Sequence, residues 1–192
     1  MRLAGRFVDL NRKRVVSLLE STGREGIDAL VKRLHETDFF TAPASTRPDY
    51  HGCYAGGLAR HSLNVYDSFR PKVDAYSLDI RSDEAIIASI CHDLCKIGIY
   101  VPNRLKSGAL SESKPYVVED DFPFGHGEKS VLIASRDILL TKNESLLMRW
   151  HMGPYDGDWE DYEDKIAKAC PAIYAFHASD VEASRYLDNR ER

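Results

Sequence analysis

Ala85-Ile-Ile-Ala-Ser-Ile-Cys-His-Asp-Leu-Cys-Lys-Ile-Gly98 is the stretch on which the reading of the fold turns. It is apolar nearly throughout, yet His92-Asp93 sits inside it and Lys96 follows three positions later. Ser82 stands ahead of it as an N-cap, with Asp83 and Glu84 placed to meet the positive end of the helix dipole. The pattern predicts a helix from Ser82 to about Lys96, stopped by Gly98. A carboxylate is costly to bury unpaired, so Asp93 needs a cation or a dense shell of hydrogen bonds. For an isolated His-Asp dipeptide, a salt bridge or a surface-facing polar pair is the better reading. The company it keeps is what changes that.

Working outward, the chain alternates helical periodicity with short breaks, and an all-α fold is expected. Thr22-Gly-Arg-Glu25 reads as a capping box ahead of Ile27, Leu30, Val31 and Leu34, which recur at helical spacing. Residues 39–57 carry two prolines and three glycines and should be an extended loop. A helix starting near Leu58 turns His61 inward together with Val65, Tyr66 and Phe69. Residues 99–125 are polar and aperiodic, with Lys114-Pro-Tyr-Val-Val as a short strand; a connection this long reads as a loop or lid. Helices resume at about 127–140 and after Thr141-Lys-Asn-Glu144, another capping box, in a helix that ends at His151. The last helix starts or kinks at Pro171 and carries Ile173, His177, Asp180 and Ser184 on one stripe. One domain over 1–192 is expected, with residues 1–38 as N-terminal helices packed on its core.

Composition narrows the function. The 192 residues are 43% hydrophobic and 29% charged, as in soluble globular proteins. A net charge of -4 disfavours a grip on nucleic acid by bulk charge, although a local basic patch stays open. The apolar runs fall far short of the roughly 20 residues of a membrane helix. The first ten residues lack the apolar centre of a signal peptide, so no membrane partner and a cytoplasmic location are expected. Cys53, Cys91, Cys95 and Cys170 form no C-x-x-C pair and read as reduced thiols.

His61 lies 31 positions before His92, and Asp180 sits among apolar neighbours on the last helix. In order and context, Gly-Gly-Leu-Ala-Arg-His61, His92-Asp93-Leu-Cys-Lys96 and Ala-Phe-His-Ala-Ser-Asp180 resemble the HD-domain superfamily of metal-dependent phosphohydrolases, whose pattern is H…HD…D. The resemblance spans roughly residues 39–187. It implies a helical bundle with metal between the helices, held by His61, His92, Asp93 and Asp180. His126 and His151 fall where some of these families carry ligands for a second ion, with Asp93 bridging. One or two divalent ions per chain (Mn, Mg, Fe, Ni or Zn) are thus implied. Such ions bring the pKa of a bound water from 15.7 to about 7 and yield a hydroxide nucleophile. Residues 39–57 look most like the approach segment of bacterial 3'-to-5' exoribonucleases, without their OB-fold. Cys95-Lys96, with no G-Y-P after it, departs from the HD-GYP cyclic-dinucleotide phosphodiesterases.

The expected activity is hydrolysis of a nucleotide or another small phosphoester. The alternatives are a di-iron oxygenase on the same ligands, an exoribonuclease or cyclic-nucleotide phosphodiesterase, and a non-catalytic nucleotide-binding module. The oligomeric state is left open. Lys96, at i+3 from Asp93 and i+4 from His92, is the expected electrostatic partner of a phosphoryl group; a solvated lysine at a helix end is the competing reading. His51, Arg149 and Lys129 are weaker substrate-contact candidates; each could equally be an ordinary surface or loop residue, and for Arg149 and Lys129 that is the better reading. His177 shares a face with Asp180 and is expected to support a ligand or to be a hydrogen-bonded core histidine. His35 reads as structural, and Cys91 and Cys95 as small apolar packing groups. Residues 156–164 imitate a calcium loop without its turn glycine and bidentate Glu, and read as a solvated acidic loop.

Overall fold

Helices Gly57–Ala75 (α3), Ser82–Cys91 (α4) and Ile173–Glu182 (α8) bury their apolar faces on one another and leave a polar seam along one side. The structure, a computed structural model, describes residues 2–188, with side chains from residue 5. Around this centre lie Arg2–Ser21 (α1), Ile27–Glu36 (α2), His126–Ala134 (α5), Lys142–Trp150 (α6) and Trp159–Ala169 (α7). The expected all-α class holds, apart from one small sheet. The expected ends of the chain, residue 1 and residues 189–192, lie outside the described residues.

The core is continuous. Val15 and Leu19 of α1 and Ile27, Leu30 and Leu34 of α2 bury against Leu58, Leu63, Phe69, Ile87 and Ile90. Phe69 and Phe176 meet edge to face, with ring centroids 4.9 Å apart at 88°, a geometry that adds about 0.5–1.5 kcal/mol to the burial itself. No helix among the described residues is long and apolar enough to cross a membrane.

Several boundaries differ from the sequence reading, each for a local reason. α4 is capped one residue earlier, at Arg81, whose backbone N–H donates to Glu84 Oε2 at 3.0 Å. It also ends early: Asp93 leaves helical geometry (φ −109°, ψ 21°), and Leu94–Lys96 is a 3-10 turn. The Thr22–Glu25 capping box does not form. Thr22 Oγ1 instead donates to the Leu19 carbonyl at 2.6 Å and closes α1, while α2 begins behind Gly26. Gly26 has φ +85°, and a Cβ there would stand 2.0 Å from the Asp137 carbonyl oxygen, so both conformation and space call for glycine. The capping box at Thr141 is present, with Glu144 N–H on Thr141 Oγ1 and Thr141 N–H on the Glu144 carboxylate. The helix expected over 127–140 stops at Ala134, and α8 starts at Ile173 rather than at Pro171. The acidic stretch is not a loop: Trp159 is buried and anchors α7.

Residues 99–125 are more ordered than a loop. Tyr100–Pro102 (β1) and Tyr116–Val118 (β2) pair antiparallel, with Val101 opposite Val117. The base of this hairpin faces the polar seam.

Candidate metal centre

Three imidazoles converge on Asp93 with their outer nitrogens already engaged. His61, on α3, donates Nδ1–H to Asp188 Oδ2 at 2.9 Å. His92 and His151 use one device between them: each sits just past the last turn of its helix and donates Nδ1–H to the carbonyl three residues back. Those acceptors are Ser89 and Met148, both at 2.8 Å. With Nδ1–H engaged in this way, the neutral form of each ring carries its lone pair on Nε2, and all three Nε2 atoms turn to the same carboxylate.

Asp93 divides its two oxygens between two groups of ligand atoms. Oδ2 lies 3.4 Å from Nε2 of both His61 and His92. Oδ1 lies 2.8 Å from His126 Nε2 and 3.7 Å from His151 Nε2. Asp180, from α8, completes the first group, with Oδ1 3.1 Å from His61 Nε2. His126 opens α5, and α5 lies close to α6 because residue 127 is glycine; a Cβ there would stand 2.1 Å from the Arg149 carbonyl oxygen. That approach sets the His126 and His151 ring centroids 5.1 Å apart.

The cations around the two carboxylates hold them in the charged form. Asp93 and Asp180 are held well below the usual carboxylate range: burial opposes this, but Lys96 and the histidines outweigh it at Asp93, and His61 does so at Asp180. Burial opposes a proton on His61, yet Asp188 and Asp180 hold its pKa up to about 10. Burial, with His92 and His126 adding, pushes His151 down to about 3.

A divalent cation fits this donor set. His61 and His92 present Nε2 atoms 3.2 Å apart, and two lone pairs at that distance repel unless a proton or a cation lies between them. Two nitrogen ligands on a tetrahedral ion stand about 3.3–3.4 Å apart, from metal–nitrogen bonds of about 2.0–2.1 Å. Imidazole and carboxylate together suit first-row divalent ions. Comparison with family models, with curated proteins and with solved structures returns no match. The residues themselves carry the reading of the site.

Beside the cluster opens a cavity of about 630 Å³, with Asp93, His126, His151 and Asp180 on its floor. Lys96 is buried and sits 2.8 Å from Asp93 Oδ2; burial opposes its charge, but Asp93 prevails and raises its pKa. His51 lines the cavity, its ring centroid 4.9 Å from that of His61, and its buried Nε2 has no hydrogen-bond partner among the described residues. His177 also reaches the wall and donates Nδ1–H to the His151 carbonyl at 2.8 Å, pinning the turn that carries His151.

Arg149 and Lys129 are not brought to the cavity. Arg149 stacks 3.8 Å from the Trp150 ring centroid and pairs with Glu128 at 2.6 Å and Asp156 at 2.5 Å. Lys129 pairs with Asp120 at 2.5 Å. Both are engaged with carboxylates outside the cavity, in line with the reading preferred for them over a substrate contact. Cys91 packs in the core as expected; Cys95 is buried as well, with its Sγ 3.4 Å from His126 Nδ1. His35 packs against Phe40, ring centroids 5.2 Å apart, away from the site.

The sequence reading did not single out Asp188 and Asn64, nor Tyr100 and Arg185, which line the cavity. Asn64 shares the inward face of α3 with His61, three positions on, which was a readable signal, and its amide donates to Asp188 Oδ1 at 2.8 Å. Asp188 carried no such signal. On a continuous α-helix it would be turned about 80° from Asp180. The π-helical turn at Ala183–Leu187, closed by Asp188 N–H on the Ala183 carbonyl, holds one extra residue and brings Asp188 back to the face of Asp180.

Proposed function

We propose that the protein is a metal-dependent phosphohydrolase acting on a nucleotide or another small phosphoester. The observation that carries this reading is the arrangement of Asp93 between two sets of inward Nε2 atoms, with the rings of His61, His92 and His151 tethered outward through Nδ1. It is the geometry expected of preset ligands rather than of ordinary buried histidines, which have no reason to face one another. His61, His92, Asp93 and Asp180 would hold one ion, and His126 and His151 would share Asp93 with a second. Bound there, divalent ions supply a Lewis acid that polarises a phosphoryl oxygen and lowers the pKa of water.

The chain's own residues then bind and orient. Lys96 stands where its ammonium can turn from Asp93 to a phosphoryl oxygen that takes up that negative charge. His51 lines the same cavity and keeps a buried, unpartnered Nε2 beside it that a substrate group could engage. Arg185, at the cavity wall and in no ion pair among the described residues, can take a second anionic group. Tyr100 and Tyr155 line the same space, which falls in the usual size range for small-ligand sites, about 300–1,000 Å³. Such a cavity suits a mononucleotide better than a polymer, as does the net charge of -4.

The test is a panel of phosphomonoesters, phosphodiesters and cyclic nucleotides assayed with Mn, Mg, Ni and Fe, in air and without oxygen. Metal-dependent phosphate or nucleoside monophosphate release, lost in His92→Ala, is expected. Turnover that persists in His92→Ala, or that appears only with iron and oxygen, contradicts the proposal.

A further inference from the structure

We infer that Cys95 is a metal ligand, giving the His126 side of the centre a sulfur donor that favours a thiophilic ion, zinc or ferrous iron, over magnesium. The inference rests on the metal-centre reading above and adds the kind of metal. Residues two apart on an α-helix point to opposite sides, so a helix running through Lys96 would turn Cys95 away from Asp93. The break at Asp93 removes that constraint. Cys95 then donates its backbone N–H to Ser130 Oγ at 3.0 Å, which ties it to α5, the helix that begins with His126.

The result is a compact triad. Cys95 Sγ lies 3.4 Å from Nδ1 and 3.6 Å from Nε2 of His126, and His126 Nε2 lies 2.8 Å from Asp93 Oδ1. One ligand atom from each of the three residues falls within 4.8 Å of the others. A sulfur and a nitrogen on one tetrahedral ion stand about 3.5–3.6 Å apart, from bonds of about 2.3 and 2.0–2.1 Å. The observed Sγ–Nε2 spacing matches that value. His151 Nε2 faces the same carboxylate oxygen at 3.7 Å. Imidazole, carboxylate and thiolate together select zinc or iron, whereas magnesium takes oxygen ligands. The thiol loses its proton on binding, so uptake of the ion releases a proton to solvent.

Cobalt(II) reports the sulfur directly. The wild-type chain loaded with cobalt(II) should show a near-ultraviolet thiolate-to-cobalt charge-transfer band beside the visible d–d bands. Cys95→Ser should lose the charge-transfer band while still binding cobalt on the His61–His92–Asp180 side. Cys170→Ser, altered at the end of α7, should keep it. Cobalt bound with d–d bands but no charge-transfer band, or a band that survives Cys95→Ser, overturns the inference and leaves the metal centre standing. No cobalt uptake at all overturns both. Should Cys95→Ser fail to fold, X-ray absorption of the zinc-loaded wild type decides: a sulfur neighbour at about 2.3 Å is expected, and a shell of nitrogen and oxygen alone refutes it.

Discussion

Asp188 and His61 stand 127 positions apart, and their side chains meet in the core, Oδ2 accepting Nδ1–H at 2.9 Å. The contact fixes the ring's tautomer and aims Nε2 at Asp93 and Asp180. Asn64 holds the other oxygen of Asp188, and the Tyr54 hydroxyl donates to the Asp188 carbonyl at 3.0 Å. Three segments of chain are thus spent on the angle of one imidazole.

Asp188→Ala should therefore weaken metal binding without touching a ligand. Carboxylates that orient a metal-bound histidine are worth about 10–100-fold in affinity. Calorimetric titration with zinc or manganese should show a loss of that size, with circular dichroism unchanged. Affinity equal to wild type would mean that His61 needs no orienting group.

Arg24 ties the far end of the bundle together. Its guanidinium reaches Glu144 at 2.8 Å, Asp83 at 2.9 Å and the Leu139 carbonyl at 2.7 Å, and the Glu144 side chain is wholly buried. Arg24→Ala leaves that carboxylate without its partner, a change that typically costs about 3–5 kcal/mol. A urea midpoint shifted to match, with metal affinity preserved, is expected. A midpoint within error of wild type would show that Thr141 and water suffice for Glu144.

Asp83 gives stability a pH dependence of known sign. Hydrogen bonds from Arg81 first, and then from Arg24, bring its pKa from 3.8 down to about 2 against a smaller cost of burial. A depressed carboxylate stabilises the fold fully above its unfolded pKa and loses that contribution as pH falls through the folded one. The stability gap between wild type and Asp83→Asn should hold steady above pH 5 and narrow between about pH 4 and 2. A gap that widens over that interval would reverse the assignment.

Much of this was written in the sequence, and what was not has physical reasons. His61, His92 and Asp180 are polar residues on apolar helical faces, so periodicity alone turns them inward. The capping box at Thr141 fixed the start of α6 and, with it, the end at His151. By contrast, the Asp93 break and the π-helical turn before Asp188 are departures from regular geometry, and no local pattern marks them. They decide where Cys95 and Asp188 point. For Arg149 and Lys129 the sequence left a substrate contact open as the lesser reading, because their carboxylate partners, Asp156 and Asp120, come close only once the chain has folded.

His51 makes a prediction of a different kind. Its Nε2 is buried and unpartnered beside the cavity, and burial, helped by Lys96 and His61, pushes its pKa down to about 3, so the ring lines the cavity neutral. His51→Ala should raise KM for the best phosphoester by about tenfold, the weight of one hydrogen bond to a charged group, with metal content unchanged. A fall in bound metal instead would make His51 part of the centre.

The central claim is that the His–Asp cluster is a divalent metal centre, and elemental analysis of the purified, metal-replete chain tests it most directly. The account predicts close to two ions per chain in wild type, with Asp93 shared between them, and less than one in Asp93→Ala. A wild-type chain that folds, is supplied with zinc, manganese and iron, and retains none of them would contradict it.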